Sequence, residues 1–146
     1  MTDVEQMIMR QEGTGPMKDG AFYPYMDTVG LTTIGYGHCL DRKGLSLDMA
    51  FMLLKMDIAD AIDDVRYHFS CYDMLNRARQ LVLISMAFNL GRAGLGKWPR
   101  FIGAVHLGQW DDAADHLLDS KAARQDAPAR YKELAHMMRT GTSEWV

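Results

Sequence analysis

The chain has 146 residues and a mass of 16.5 kDa, the size of one ordinary domain or of two small lobes sharing a core element. Hydrophobic residues make up 48% and charged residues 24%, which rules out wholesale disorder. Sixteen Lys and Arg against 19 Asp and Glu leave a net charge of −3, and that excludes the strongly basic profile of a nucleic-acid binder.

The first element reads as a short helix over residues 2–12. Thr2-Asp3-Val4-Glu5 has the capping-box form, and Gly13 follows Glu12 as a stop. This acidic, polar start is unlike a secretory signal, so the chain is expected to be made as a cytoplasmic protein. Residues 14–45 change character. Glycines at 15, 20, 30, 35, 37 and 44 punctuate Tyr, Thr and Ile. Phe22–Met26 and Leu31–Ile34 are predicted as two strands, with Gly35-Tyr36-Gly37-His38 bending after them. Such a sheet is too small to hold its own core.

From Ser46 the pattern is helical. Leu47, Ala50, Phe51, Leu54, Ile58, Ala61, Ile62 and Val65 recur at intervals of three and four. A helix of about 20 residues is about 30 Å long and could bridge two lobes. Asp73–Leu90 follows, apolar nearly all round over Leu81–Phe88, and is expected as a central buried helix. No apolar run approaches the ~18 residues needed to span a bilayer. After Gly91, Gly94 and Gly96, three short helices are predicted: Arg100–Leu107 behind Pro99, Asp111–Asp119, and Pro128–Arg139. Cys39 and Cys71 have no metal-ligand spacing, so free thiols are expected, with no metal and no cofactor. The fold class is α+β and mostly helical: a small antiparallel sheet lobe (about 13–45), a long helix (about 46–67) and a helical lobe (about 68–146). The N-terminal helix 2–12 is expected to pack on the helical lobe.

Only four of the 19 acids are glutamates: Glu5, Glu12, Glu133 and Glu144. Glu12 ends a helix and Asp27 sits at a strand–turn junction, with glycine bends beside both. Two carboxyls in unlike environments are what acid-catalysed glycosidic cleavage requires, one protonated and one charged. Each has an ordinary alternative. Glu12 could cap its helix or pair with an arginine such as Arg130, Asp27 could shape an Asx turn, and Thr33 could be a routine strand residue.

The literal string goes further. Glu12-Gly13, then Asp27-Thr28-x-Gly30-x-x-Thr33-Ile34-Gly35-Tyr36-Gly37-His38, resembles the signature of the phage T4-type lysozymes, glycoside hydrolase family 24. Phe88-Asn89-Leu90-Gly91, Trp110-Asp111-Asp112-Ala113-Ala114 and Arg139-Thr140-Gly141-Thr142 are similar to later segments of that family, in the same order. The resemblance implies a lysozyme-like fold and a muramidase that hydrolyses the β-1,4 bond between N-acetylmuramic acid and N-acetylglucosamine. It implies Glu12 as general acid, Asp27 as the ionised partner and Thr33 as holder of the attacking water, in a layout suited to inversion. It further implies substrate contacts at Asn89, with Phe88 and Arg130 nearby, and a structural ion pair between His38 and Asp57. The partner is bacterial peptidoglycan, with no nucleic acid and no stable membrane insertion. As a phage endolysin the monomer would wait in the host cytoplasm and reach the periplasm and cell wall once a separate holin had acted.

Three departures stand out. An extra piece around Thr14–Ala21, expected as a loop, lengthens the gap between Glu12 and Asp27. The stretch between His38 and Ser46 is short. Ala122-Ala123-Arg124-Gln125 stands where the family carries a Trp-Tyr pair, which makes a wall of the groove less aromatic. Two other functions compete: a lytic transglycosylase, which needs no attacking water, and a catalytically silent wall-binding module.

Overall fold

The computed structural model describes residues 1–144. The architecture is the expected α+β one, mostly helical, and it divides by its internal contacts into two units, Met1–Met52 and the chain from Leu53 onward.

In the first unit, helix α1 (Asp3–Glu12) starts on the predicted capping box: the Thr2 hydroxyl accepts from Glu5 N–H and the Glu5 carboxylate accepts from Thr2 N–H. Those bonds, the Thr2 backbone one foremost, hold the Glu5 carboxyl below its ordinary value. Strands β1 (Met17–Lys18) and β2 (Ala21–Phe22) form one hairpin, paired Met17 with Phe22 and Lys18 with Ala21. A second, three-stranded antiparallel sheet orders β3 (Tyr25–Met26), β4 (Thr32–Ile34) and β5 (His38–Cys39) side by side.

The single strand predicted over Phe22–Met26 is therefore two, split at Tyr23-Pro24. Proline has no N–H to give a ladder, and Tyr23 N–H turns back to the Pro16 carbonyl at 2.9 Å. The piece expected as a loop at 14–21 is mostly hairpin. Its two central residues, Asp19 (φ 51°) and Gly20 (φ 81°), both take the left-handed conformation that a two-residue hairpin turn needs. The short stretch after His38 contains a single helical turn, α2 (Leu40–Lys43), closed at Gly44.

Helix α3 (Leu47–His68) runs 22 residues, about 33 Å. Its predicted apolar face is buried only at Ala61 and Val65, whereas Leu47 and Phe51 are exposed. The 3–4 spacing gave the correct helix but not the length of its buried stripe. Helix α4 (Arg77–Leu95) is capped by the Asn76 side chain, which accepts from Arg79 N–H at 3.1 Å. It begins later than predicted because Tyr72–Met74 forms a separate 3-10 turn. It also continues past Gly91, whose φ of 64° breaks the helix direction. Helices α5 (Pro99–His106), α6 (Trp110–Leu118) and α7 (Pro128–Thr140) follow within a residue of their predicted bounds. Between α6 and α7, Ala122–Asp126 forms a π-helical turn. No described helix is long and apolar enough to cross a membrane.

The core of the second unit is built on Val65, Val82, Leu83, Met86, Phe101 and Met138, all essentially inaccessible. Phe69 meets Phe101 edge-on, and Trp98 stacks on Tyr131. At its edge the start of α4 is fastened to the end of α7. Arg79 stacks over Trp110 at 4.0 Å and gives its Nε–H to the Met138 carbonyl at 3.0 Å. Asn76 Nδ2 donates to the Gly141 carbonyl at 2.9 Å. Arg139 pairs with Asp111 and Asp115, one turn apart on α6. The closing Arg139-Thr140-Gly141 string is thus a structural clamp. Gly141 is its tightest point: it lies at φ 70°, and a Cβ there would stand 2.6 Å from Asn76 Nδ2. Replacing Gly141 with Ala is expected to cost about 2 kcal/mol and to lower the Tm by about 4–8 °C; a melting curve superposable on the wild type would contradict the clamp.

Candidate active site

In the first unit, the site is assembled from a helix end and a hairpin. Helix α1 stops where Gly13 (φ 68°) gives its N–H to the Met9 carbonyl, and this leaves Glu12 as the last helical residue. The turn between β4 and β5 comes up beside it. There Gly37 (φ 77°) presents a bare Cα to the Glu12 carboxyl: a Cβ at Gly37 would stand 3.0 Å from Oε2 and 3.3 Å from Cδ. Tyr36 of the same turn lines a pocket with Val4, Ile8 and Met9 of α1 and packs edge-on against Phe22. Glu12 itself is exposed.

Asp27 follows β3. Its Oδ1 accepts from Val29 N–H at 2.9 Å and from Leu31 N–H at 2.8 Å, while its own N–H goes to the Leu31 carbonyl. This is the Asx turn given as the ordinary alternative, and Gly30 (φ 82°) completes it. Both bonds use one carboxylate oxygen. Oδ2 accepts no hydrogen bond from the described residues.

Thr33 pairs with Tyr25 and with Cys39. Because side chains alternate along a strand, Asp27, two residues beyond Tyr25, falls on the same face of the hairpin as Thr33. Such a diagonal pair lies ~7–8 Å apart. Among the described residues Thr33 is the one buried polar residue, 4% exposed, and its hydroxyl donates to the Leu31 carbonyl at 3.2 Å. The oxygen keeps its lone pairs for an incoming donor.

His38 lies on the opposite face, paired with Ile34. Its Nε2 is 2.8 Å from the Gly44 carbonyl. A carbonyl only accepts, so Nε2 carries the proton, and the ring ties both ends of α2 together. Asp57, its expected partner, belongs to the second unit and lines a small pocket there with Asp60, Asp64 and Phe88.

The second unit brings together the other expected substrate residues. A groove of about 570 Å³ carries Phe88, Asn89, Arg130 and Glu133 beside apolar residues such as Ile58 and Leu81. Arg130 donates to Asn89 Oδ1 at 2.7 Å, and Asn89 Nδ2 donates to the Ser85 carbonyl at 2.7 Å. Asn89 is therefore an oriented amide with one N–H and one lone pair left, not a free one. Phe88 is 46% exposed. Sequence reasoning missed Glu133; its three-residue spacing from Arg130 on α7 was the available signal.

Residues 19–133 match the phage lysozyme family, and the chain belongs to it. It is also similar to the pre-baseplate central spike protein Gp5 of Enterobacteria phage T4, at 25% identity over a gapped alignment of 167 positions that covers 95% of this chain and 28% of that protein. The family match takes in Asp27, Thr33, His38, Asp57, Phe88, Asn89 and Arg130 and begins after Glu12.

The two oxygens of Asp27 can be separated experimentally. Asp27→Asn keeps an acceptor at Oδ1, so amide exchange at Val29 and Leu31 should stay close to wild type. Asp27→Ala removes it, at a cost of about 2 kcal/mol, and exchange at both amides should speed up severalfold. Equal exchange in the two variants would show that Oδ1 does not hold the turn.

Proposed function

We propose that this chain is a peptidoglycan muramidase that cleaves the β-1,4 bond between N-acetylmuramic acid and N-acetylglucosamine by hydrolysis with inversion. The observation that carries the reading is the placement of Asp27 and Thr33 on one hairpin face, with a carboxylate oxygen and hydroxyl lone pairs still open. Family membership supports the substrate class.

Glu12, protonated, gives its proton to the bridging oxygen as the bond to the anomeric carbon lengthens. Asp27, ionised through Oδ2, faces the positive charge growing on the sugar. A water donating one hydrogen to Thr33 Oγ1 and one towards Asp27 turns its oxygen lone pair to the anomeric carbon. The new C–O bond forms as the leaving oxygen departs, and the water's second proton passes to Asp27. The reaction needs no covalent intermediate. It does need the carboxyls spaced widely enough to admit that water, roughly 6.5–9.5 Å. In the second unit, Phe88 offers a ring face to sugar C–H groups, and the oriented Asn89–Arg130 pair offers donors to N-acetyl oxygens or to peptide carboxylates.

Membrane-permeabilised Gram-negative cells should lose turbidity with the wild type. Glu12→Gln and Asp27→Asn should each reduce the rate by at least about a hundredfold with the Tm little changed. Released fragments should carry reducing muramic ends, formed first as the α anomer. Ends in the 1,6-anhydro form would make the chain a transglycosylase, and no clearing at all would make it a silent wall-binding module.

The setting proposed for this activity is host lysis as a monomeric endolysin, released from the cytoplasm to the wall by a separate holin. Similarity to a baseplate spike protein favours a second setting, with the same chemistry carried on the particle. Immunodetection of the chain in purified particles would select the second; its restriction to the lysate would select the first.

A further inference from the structure

We infer that Gly37 is a positioning residue for Glu12: its missing side chain is the space in which the acid's carboxyl is held. The inference rests on the reading of Glu12 as the general acid.

The left-handed backbone at Gly37 does not by itself account for this. Gly30 (φ 82°) and Gly35 (φ 61°) share that conformation in the same small sheet, and a Cβ on either would meet nothing within 4 Å. At Gly37 the added atom would meet three atoms of one side chain: Glu12 Oε2 at 3.0 Å, Cδ at 3.3 Å and Cγ at 3.5 Å. These glycines thus share a backbone requirement, and Gly37 carries a clearance requirement besides. The obstacle is the far end of a flexible side chain. A methyl group at Gly37 would therefore be accommodated by moving the Glu12 carboxyl by several tenths of an ångström, with little cost in stability beyond the backbone strain common to any L residue there.

A proton donor is sensitive to such a displacement. General-acid catalysis needs the carboxyl within hydrogen-bond reach of the leaving oxygen, and a misplacement of about 1 Å costs about a hundredfold in rate. Tyr36 of the same turn and Val4, Ile8 and Met9 of α1 line one pocket, so the turn that carries Gly37 and the helix that ends at Glu12 are neighbours.

The test compares full-length Gly37→Ala with Gly35→Ala, which imposes similar backbone strain into open space. Gly37→Asn and Gly35→Asn serve as a second pair if the alanine variants fold poorly, because asparagine tolerates positive φ better. Initial rates over a peptidoglycan concentration series, the alkaline limb of the pH–rate profile and the ¹³C titration of the Glu12 carboxyl are read on each. The Gly37 variants should lose roughly four- to tenfold in kcat with KM within about twofold. Their alkaline limb and their Glu12 carboxyl resonance should shift, while the Gly35 variants of similar Tm shift neither and keep most of their kcat. Equal losses in the two pairs, or an unmoved Glu12 resonance in the Gly37 variants, would overturn the positioning role alone, provided that Glu12→Gln is inactive. A fully active Glu12→Gln would overturn the acid assignment, and the role of Gly37 with it.

Discussion

The small sheet depends on one carboxylate oxygen. Strands β3, β4 and β5 contain two, three and two residues, too few for the ladder alone to hold a hairpin in place. Asp27 Oδ1 supplies what the ladder lacks by taking the N–H groups of Val29 and Leu31, which would otherwise face the turn unpaired. The register that follows from this turn sets Thr33 opposite Tyr25 and therefore on the face of Asp27. A slip of one residue would send Thr33 to the other face. Structure and chemistry are divided between the two oxygens of one side chain: one defines the turn, and the other is the proposed anion.

The second unit solves a different problem, namely how a helix can change direction inside a packed body and still present polar groups there. Gly91 breaks α4 directly after Phe88-Asn89-Leu90. The chain beyond the break is held by Arg92, whose Nε meets Asp64 at 2.8 Å, whose guanidinium lies over Tyr67, and whose carbonyl accepts from His68 Nε2. One turn before the break, Asn89 Nδ2 bonds back to the Ser85 carbonyl, and Arg130 donates to the oxygen of the same amide. The polar rim of the groove is thus held by side chains from α4 and α7 together.

Much of this was legible in the sequence, and the parts that were not have physical causes. The capping box at Thr2, the proline at the start of α5 and the glycine at the end of α7 are local signals, and each lies where local rules put it. Asp19-Gly20 is an equally local hairpin signal, but flanking strands of two residues are too short to show an alternating pattern, and the segment reads as a loop. The buried face of α3 is shorter than its apolar stripe. Helical spacing identifies which residues share a stripe, not how many turns of it are covered, and Phe51 is exposed although it lies in register with buried Val65. Among the site residues, Glu12, Asp27 and Thr33 came from the string itself. The contact of Glu12 with Gly37 could not, because it depends on the approach of two elements and on a side-chain rotamer. The use of Asn89 by Ser85 and Arg130 was hidden for the same reason.

Fourteen residues separate Glu12 from Asp27, and much of that length is spent in an excursion. After Gly13, Gly15 (φ 60°) lies so close to the Tyr25 ring that a Cβ there would come within 2.6 Å of it, near the Gly35 carbonyl as well. Pro16 then receives Tyr23 N–H, so residues 16–23 leave and return at nearly the same point, with the β1–β2 hairpin as their content. An excursion that closes on itself adds length without adding separation, and the entropic cost of a longer loop grows only slowly with its length. The route that matters, from the end of α1 past Tyr25 to Asp27, is as short as if the hairpin were absent.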